Sequence, residues 1–472
     1  MENCWTAPNT ASISVETPVR GFYNANSSPL LKSHMNTLCW QQLELFIKQQ
    51  NIADKPLWVA LSGGVDSVCL LHLAKELKAH TGIEVQAIHV NHGLSVNADN
   101  WQRTVSALCD SWGIELSCHR VHIEQKTRTS LEQQARDARY QAIAARLPEG
   151  AVLLTGHHQA DQFETFILRL MRSSGLTGLS AMKVLADLPN DEAKAKHIKL
   201  ARPLLNTPKA EVLTYAQDHE LTWVEDESNQ DQSFDRNFVR ANLLPMFLQR
   251  WPNAAKSVAV STRLLEQESA LLQEYLEQDL ALLVEQGFGN MTCLNLAKLT
   301  ELSKNKQASL VRLFVHRASN QILSRTAIEE LLTNMVNSRK DSQPELKLTK
   351  SVSLNVYNEQ LYLVNTSHFV AKTFELKSGE EVLFNQHRLY QKLKVSSERH
   401  RDFIIKFDVM ADKLQPNKGS GSKKVKALLK AAKCPPWLRG EIPLIYLENQ
   451  LIAVGNLVID KDFAEQLIIE LA

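Results

Sequence analysis

Residues 57–67 read Leu-Trp-Val-Ala-Leu-Ser-Gly-Gly-Val-Asp-Ser. Leu57 to Leu61 is short, apolar and followed by turn residues, the signature of a buried parallel strand. Val68 to Lys78 reads as a helix. Between them, Ser62, Gly63, Gly64, Val65, Asp66 and Ser67 form a strand-to-helix turn suited to an anion. The glycines allow positive φ and close approach. Unpaired N–H groups at a helix start, aided by the helix dipole, attract negative charge. A bare Gly-Gly is more often a tight turn with Asp66 as a cap. Six fitting residues in a row behind a buried strand point instead to a phosphate loop. Asp66 would repel a phosphate unless a cation stood between them, and Mg²⁺ suits carboxylate and phosphate oxygens. Gly-Lys occurs nowhere, so the G-x-x-x-x-G-K-[ST] loop is absent. No G-x-G-x-x-G follows a strand, which argues against a dinucleotide site.

Outward from this stretch, Leu38–Lys48 reads as a helix, and Val85–Val90 and Ala151–Thr155 as further strands. Alternating strands and helices predict an α/β, doubly wound parallel sheet in residues 37–250. Residues 254–340 are rich in Leu, Glu and Gln at helical spacing. From about 345, Leu-Lys-Leu-Thr, Ser-Leu-Asn-Val-Tyr and Gln-Leu-Tyr-Leu-Val read as strands. The expected organisation is an α-helical-rich middle domain with short strands over 251–370 and a small mixed α+β domain over 371–472. Residues 1–36 are polar and aperiodic, and read as a disordered extension.

The 472 residues are 44% hydrophobic and 22% charged, an ordinary globular composition. No apolar run reaches the roughly eighteen residues of a membrane span. The N-terminus has no basic start and apolar core, so no secretory signal is expected. Seven scattered cysteines without a C-x-x-C pair argue against a disulfide framework or zinc knuckle, and for a cytoplasmic protein. A net charge of +1 decides nothing about nucleic acid, because a basic patch can hide in a neutral total.

Two more motifs sit at strand ends, where open parallel sheets bind ligands. His89-Val-Asn-His92-Gly-Leu94 follows the second strand; its histidines lack a third metal ligand nearby and read as polar residues shaping a pocket. Leu153-Leu-Thr-Gly-His157-His158-Gln-Ala-Asp161-Gln-Phe-Glu164-Thr165 follows a later strand. Asp161 and Glu164, three apart, share a helix face. With Asp66 they can hold Mg²⁺ or receive a cationic substrate. Arg169 and Arg172, or Arg202 in Arg-Pro-Leu-Leu, could grip phosphate. Asp226, Ser228 and Asn229 are turn formers, and Arg236 and Arg240 lie four apart on the helix after them.

The Ser62–Ser67 stretch is similar to the pyrophosphate loop of the N-type ATP pyrophosphatases, an adenine nucleotide alpha hydrolase-like fold. In order along the chain, S-G-G-V-D-S, H-V-N-H-G-L, G-H-H-x-x-D-Q-x-E-T, G-L-T-G-L, R-P-L-L, E-D-x-S-N…R-N-F-V-R, K-C-P-P-W-L-R-G-E-I-P-L and L-I-A-V-G-N-L together resemble the tRNA(Ile)-lysidine synthase family, over about residues 37–465. The resemblance implies a cytoplasmic ligase that joins L-lysine to the wobble cytidine of an isoleucine tRNA with a CAU anticodon, using ATP and Mg²⁺ and releasing AMP and pyrophosphate. It implies that ATP is bound by Ser62–Ser67, His92 and His157. Catalytic roles fall to Asp66, Asp161, Glu164 and Arg236, with Mg²⁺ on Asp66 and Asp161. Asp161 and Glu164 are not separable as the base for the lysine amine. Dimerisation is common in the family. The chain departs from it in having Ala160 where a second acidic residue is frequent, and Arg172-Ser173-Ser174-Gly175 for Arg-Gly-Ser-Gly.

Residues 406–439 carry nine basic side chains, Lys418 among them, against two acidic ones. Lys423, Lys426, Lys430 and Lys433 fit one helix face, and Trp437 follows. A charge run is commonly just a solvated face. With an aromatic nearby, Lys423, Lys424, Lys426, Lys430, Trp437 and Arg439 read as tRNA-binding. The middle domain is expected to bind tRNA too. The rivals are a tRNA 2-thiolation enzyme of the same superfamily, which commonly uses cysteine pairs, an inactive tRNA-binding protein, and a free-nucleotide ligase, which would need no basic C-terminal domain.

Overall fold

The apolar run ahead of the loop becomes β1 (Leu57–Ala60), with Leu57 and Val59 fully buried. It pairs in parallel with β2 (Val85–Asn91) on one side and β4 (Val152–Leu154) on the other. Adding β3 (Leu116–Arg120), β5 (Leu185–Asp187) and β6 (Lys199–Ala201), the sheet has the order β3-β2-β1-β4-β6-β5. Five strands are parallel, as expected. The edge strand β5 is antiparallel to β6. Its connection to β6 is short, and antiparallel neighbours need no full crossover. From β1 the chain steps outward to β3 and then returns to the other side of β1 at β4. The switch point of this sheet is therefore the β1/β4 gap, where open α/β sheets form their ligand crevice.

The computed structural model describes residues 37–471 except Leu94, Val96, 123–130, 228–230, Asn320, Ile322, 336–343, 366–372, 384–391, 400–401 and 417–420. The expected extension 1–36, Ser228, Asn229 and Lys418 lie outside the described residues. The chain forms two compact units that part at Ala270/Leu271.

In the first unit, alternate strand residues face opposite sides of the sheet. Leu57, Val59 and Leu154 pack with α1 (Leu38–Gln50), α2 (Val65–Thr81), α3 (Ala98–Trp112) and α6 (Lys209–Asp218). Ile88, Leu153 and Leu200 pack with α4 (Leu131–Arg146). Helix α5 (Gln159–Met171) follows β4 and precedes α6 in the chain. Asp235–Phe238 forms the short helix α7, which continues as a π turn through Leu243. The long helix α8 spans Ala254–Leu283.

In the second unit, an antiparallel sheet has the order β7-β8-β11-β10-β9, comprising Val284–Gln286, Thr292–Asn295, Gln360–Asn365, Val352–Tyr357 and Glu345–Lys347 respectively. Helix α9 (Lys304–Ser319) buries Leu310 and Phe314 with Leu354 and Leu361 of this sheet. Strands β7 and β8 interrupt the helical spacing read over 254–340. Each is only three or four residues long, too short for period-two alternation to show. Among the described residues, the last hundred are mostly antiparallel strands, with one helix, α10 (Val425–Ala431), and a 3₁₀ turn at Pro436–Glu441.

Candidate active site

Gly64 caps α2, so the Ser62–Ser67 loop sits at the end of β1 with the helix start above it. Gly63 has φ 95°, a conformation open to glycine, and a side chain there would press on Val105 and Val224. Ser67 organises the loop. Its hydroxyl accepts from the backbone N–H groups of Ser62 and Gly63, both at 3.2 Å, and donates to the Gly64 carbonyl at 2.9 Å. Ser67 thus acts first as a brace, holding donors that an anion would otherwise take.

Gly156 ends the third strand motif across the switch point. A Cβ there would lie 2.6 Å from the Asp66 carbonyl oxygen, so only glycine lets the two loops meet. This contact joins two motifs about ninety positions apart around one space. That space is a cleft of about 820 Å³ lined by the ends of β1, β2 and β4 and by α7. Ser62, Asp66, Ser67, His92, His157, Asp161 and Arg236, all singled out in the sequence, line it. Glu164 does not.

The charges form one network. Lys209 Nζ donates to Asp66 Oδ1 at 2.5 Å, and His158 Nε2 lies 3.5 Å from Asp66 Oδ2. Burial works to raise the Asp66 pKa, but His158 and Lys209 outweigh it and hold the carboxyl below its usual range. Asp161 Oδ2 accepts from the His158 backbone N–H at 3.0 Å, and Oδ1 accepts from Arg236 Nη2 at 2.9 Å. Burial is again the largest influence and is overcome, here by His158, His157 and Arg236, so Asp161 is also held well below the ordinary carboxylate range.

Glu164 is fully buried. Its Oε2 accepts from Arg236 Nε at 2.7 Å, and its Oε1 from Arg240 Nε at 2.7 Å. This corrects its expected catalytic role. Both oxygens are taken by guanidinium groups, so Glu164 positions the arginines and has no lone pair aimed at a substrate amine. The expected use of Arg202 on phosphate is corrected as well. Arg202 is buried, and its Nη1 donates to the Lys183 carbonyl at 2.7 Å, away from the cleft.

His92 and His157 are held neutral. Burial, with Arg139 adding to it, pushes His92 down to about 4, and burial pushes His157 down to about 3. His89 Nδ1 sits 2.7 Å from the Leu61 carbonyl, and Asn91 caps its own turn by accepting from Gly93 N–H at 2.9 Å. The second motif is therefore scaffolding around one half-buried residue that lines the cleft, His92.

Sequence reasoning missed Lys209, and named Arg240 without a role. A signal for Lys209 existed: it is the first residue of α6, where a positive charge opposes the helix dipole and so calls for an acidic partner.

Residues 35–247 match the PP-loop domain family, 294–362 the TilS substrate binding domain and 403–468 the TilS substrate C-terminal domain. The chain is 34% identical to the tRNA(Ile)-lysidine synthase of Haemophilus ducreyi over 433 residues, 87% of this chain and 95% of that one. The chain belongs to the tRNA(Ile)-lysidine synthase family. The tRNA(Ile)-lysidine synthases of Vibrio vulnificus strain YJ016 and Escherichia coli O157:H7 are each 33% identical to it. They cover 89% and 90% of this chain, with 96% and 97% of their own lengths matched. It is accordingly an ATP-binding PP-loop ligase of tRNA modification.

The departures from the family pattern have local explanations. Ala160 packs with the apolar group around Phe163 and Val239 and leaves no room for a ligand role. Ser173 stands where the family often has glycine, and its φ is 54°, so the backbone keeps a left-handed turn without the residue that favours it.

In the second unit, Lys426 and Lys430 are exposed on α10. Lys423 and Lys424 precede the helix as a short strand paired with Lys413–Leu414, and Lys433 follows it at φ 57°. The single helix face predicted for four lysines is therefore two exposed helical lysines flanked by others. Trp437, read as tRNA-binding, is half-buried. The edges of Tyr357 and Tyr362 pack against its ring, with centroids 6.2 and 5.8 Å away. It anchors the Pro-Pro turn. Arg439 Nε donates to the Cys434 carbonyl at 3.1 Å, which ties down the same turn.

The six described cysteines are all free. Among the described helices, none is long and apolar enough to cross a membrane.

Proposed function

We propose that the protein joins L-lysine to the wobble cytidine of an isoleucine tRNA bearing a CAU anticodon, through an adenylated cytidine. The observation that carries this reading is the Ser62–Ser67 loop at the switch point, whose Asp66 is paired with Lys209 and shares one cleft with Asp161 and Arg236. The family's name supports the substrate.

The exocyclic oxygen of cytidine is a poor leaving group. In the first step it attacks the α-phosphorus of ATP, the bond to the β-phosphate oxygen breaks, and pyrophosphate departs. In the second, the side-chain nitrogen of lysine attacks the ring carbon. AMP leaves with the electron pair of the carbon–oxygen bond, and the nitrogen loses its proton to water. The loop N–H groups and α2 would receive the departing pyrophosphate, with Ser67 releasing the donors it braces. Arg236, anchored by Glu164, keeps a guanidinium edge on the cleft for phosphate charge. Such catalysis is mainly positioning and electrostatics.

Mg²⁺ fits part of the donor set. Among the described residues no cluster of three or more acidic, histidine or cysteine side chains is arranged as a metal cage. Asp161 is only 10% exposed, against 32% for Asp66, and is tied to the His158 backbone N–H and Arg236, so it is not offered as a ligand. Asp66 would hold the ion together with nucleotide phosphates, and the ion would offset charge developing on pyrophosphate.

The deciding assay incubates the full chain with ATP, Mg²⁺, labelled lysine and unmodified isoleucine tRNA. Label in the tRNA, with AMP and pyrophosphate formed, is expected. ATP cleavage without lysine transfer in the presence of this tRNA would reject the proposal.

The basic residues of the second unit would hold the tRNA by its phosphates. Lys424→Glu combined with Lys430→Glu should raise KM for tRNA by about tenfold and make its salt dependence shallower, leaving KM for ATP where it was. An unchanged KM for tRNA would remove these lysines from the interface.

A further inference from the structure

Both carboxylates of the third motif are held by arginines, so neither is free to receive an amine. His157 is free. It lines the cleft, and its Nδ1 is 2.9 Å from Thr155 Oγ1, which is itself 3.2 Å from the Ala201 carbonyl oxygen. A carbonyl oxygen can only accept, so the hydroxyl proton goes to Ala201, and the hydroxyl oxygen accepts from His157 Nδ1–H. This is the tautomer that satisfies both contacts. It leaves Nε2 with a lone pair, and among the described residues no donor reaches that atom.

The position of this lone pair is set by the chain. Gly156, the residue before, abuts the Asp66 backbone, so His157 stands beside the phosphate loop at the β1/β4 switch point. A group held there is next to the reacting phosphorus and the ring carbon it activates. Arg236 and Arg240 line the same cleft, and Lys209 flanks it through Asp66.

We propose that His157 is a specificity-determining residue of the amine subsite, with Nε2 accepting an N–H of the incoming primary amine. This rests on the reading of the protein as an ATP-dependent ligase of lysine. A free carboxylate at this point would pair with an ammonium ion and keep it protonated. An imidazole nitrogen accepts an N–H without adding negative charge, and the surrounding guanidinium groups disfavour the ammonium form. An amine held through its N–H keeps its lone pair for attack on carbon.

The test separates the two half-reactions in the full-length protein. Transfer of label from α-labelled ATP to tRNA without lysine reports adenylation. Consumption of isolated adenylated tRNA by lysine reports the amine step. His157→Phe keeps the ring and removes the acceptor. It should raise KM for lysine about tenfold more than KM for ATP, the loss expected for one hydrogen bond. His157→Gln, which supplies an acceptor oxygen, should recover part of that loss. Equal effects of His157→Phe on lysine and ATP, or an effect on ATP alone, would return His157 to the nucleotide site and overturn the proposal. So would an unchanged KM for lysine. A native protein that forms no adenylated tRNA would overturn the ligase reading and this inference with it.

Discussion

Alanine at both Arg236 and Arg240 should destabilise the protein by about 3–5 kcal/mol, far more than the two single replacements added together. Glu164 is the reason. Its side chain has no solvent exposure, and all its described partners are these two guanidinium groups. Without Arg236, Arg240 still holds Glu164 through Nε at 2.7 Å and Nη2 at 3.0 Å. Without Arg240, Arg236 still donates from Nε. Each arginine is itself partly exposed, 26% and 40%, so each single loss should cost only about 1 kcal/mol. Losing both strands a carboxylate in the protein interior. Urea unfolding of the four-member mutant cycle measures the coupling. Introducing Glu164→Gln into the double variant should recover part of the loss, because it removes the stranded charge. Additive single effects, or no recovery with glutamine, would mean that water reaches Glu164 once the arginines are gone. The same cycle distinguishes a positioning residue from a base: Glu164→Gln alone should lower stability and blur the placement of Arg236, and so weaken KM for ATP together with kcat.

The parts of this site that were legible in the sequence are those whose physics is local. A buried strand, two glycines and a helix start occur within eleven consecutive residues, and each constrains the next. That was enough to place Ser62–Ser67, and the parallel topology it implies brings the other strand ends to the same edge. Asp161 and Glu164 were correctly put on one helix face, but helical spacing does not say what covers the face. Only the fold brings Arg236 and Arg240 onto it, from 72 to 79 residues away. The cleft, which Asp161 lines and Glu164 does not, then divides two carboxylates that the sequence could not tell apart. Lys209 lies 143 residues from Asp66 and belongs to no chemical motif of its own. In the second unit, lysine spacing was read as one helix, although α10 starts only at Val425. Charged exposed residues carry little periodic signal, so the boundary between the Lys423–Lys424 strand and α10 was invisible. The antiparallel edge strand β5 escaped for a similar reason, being three residues long.

Asp66→Asn should slow adenylation of tRNA by about 10²–10³-fold while barely moving the urea midpoint. The two halves of this expectation follow from the same geometry. Asp66 and Lys209 are each about one-third exposed, 32% and 34%, and a pair that wet contributes only about 0–1 kcal/mol to folding. Its importance must therefore lie in the reaction. His158 and Lys209 keep Asp66 ionised, and an ionised carboxylate beside a phosphate loop is unfavourable for binding a nucleotide unless a cation stands with it. Lys209 supplies that charge in the free protein. Asparagine preserves the shape and removes the charge, so KM for ATP should stay level or fall while kcat drops. Lys209→Met should act in the opposite sense on binding, raising KM for ATP, because it leaves Asp66 unneutralised next to the incoming phosphates. Combining the two should restore much of the binding lost in Lys209→Met and none of the rate. Labelled adenylate transferred to tRNA in single-turnover mixtures gives both quantities. Native-rate adenylation by Asp66→Asn would show that the carboxylate has no part in the chemistry and that its pairing with Lys209 is structural after all.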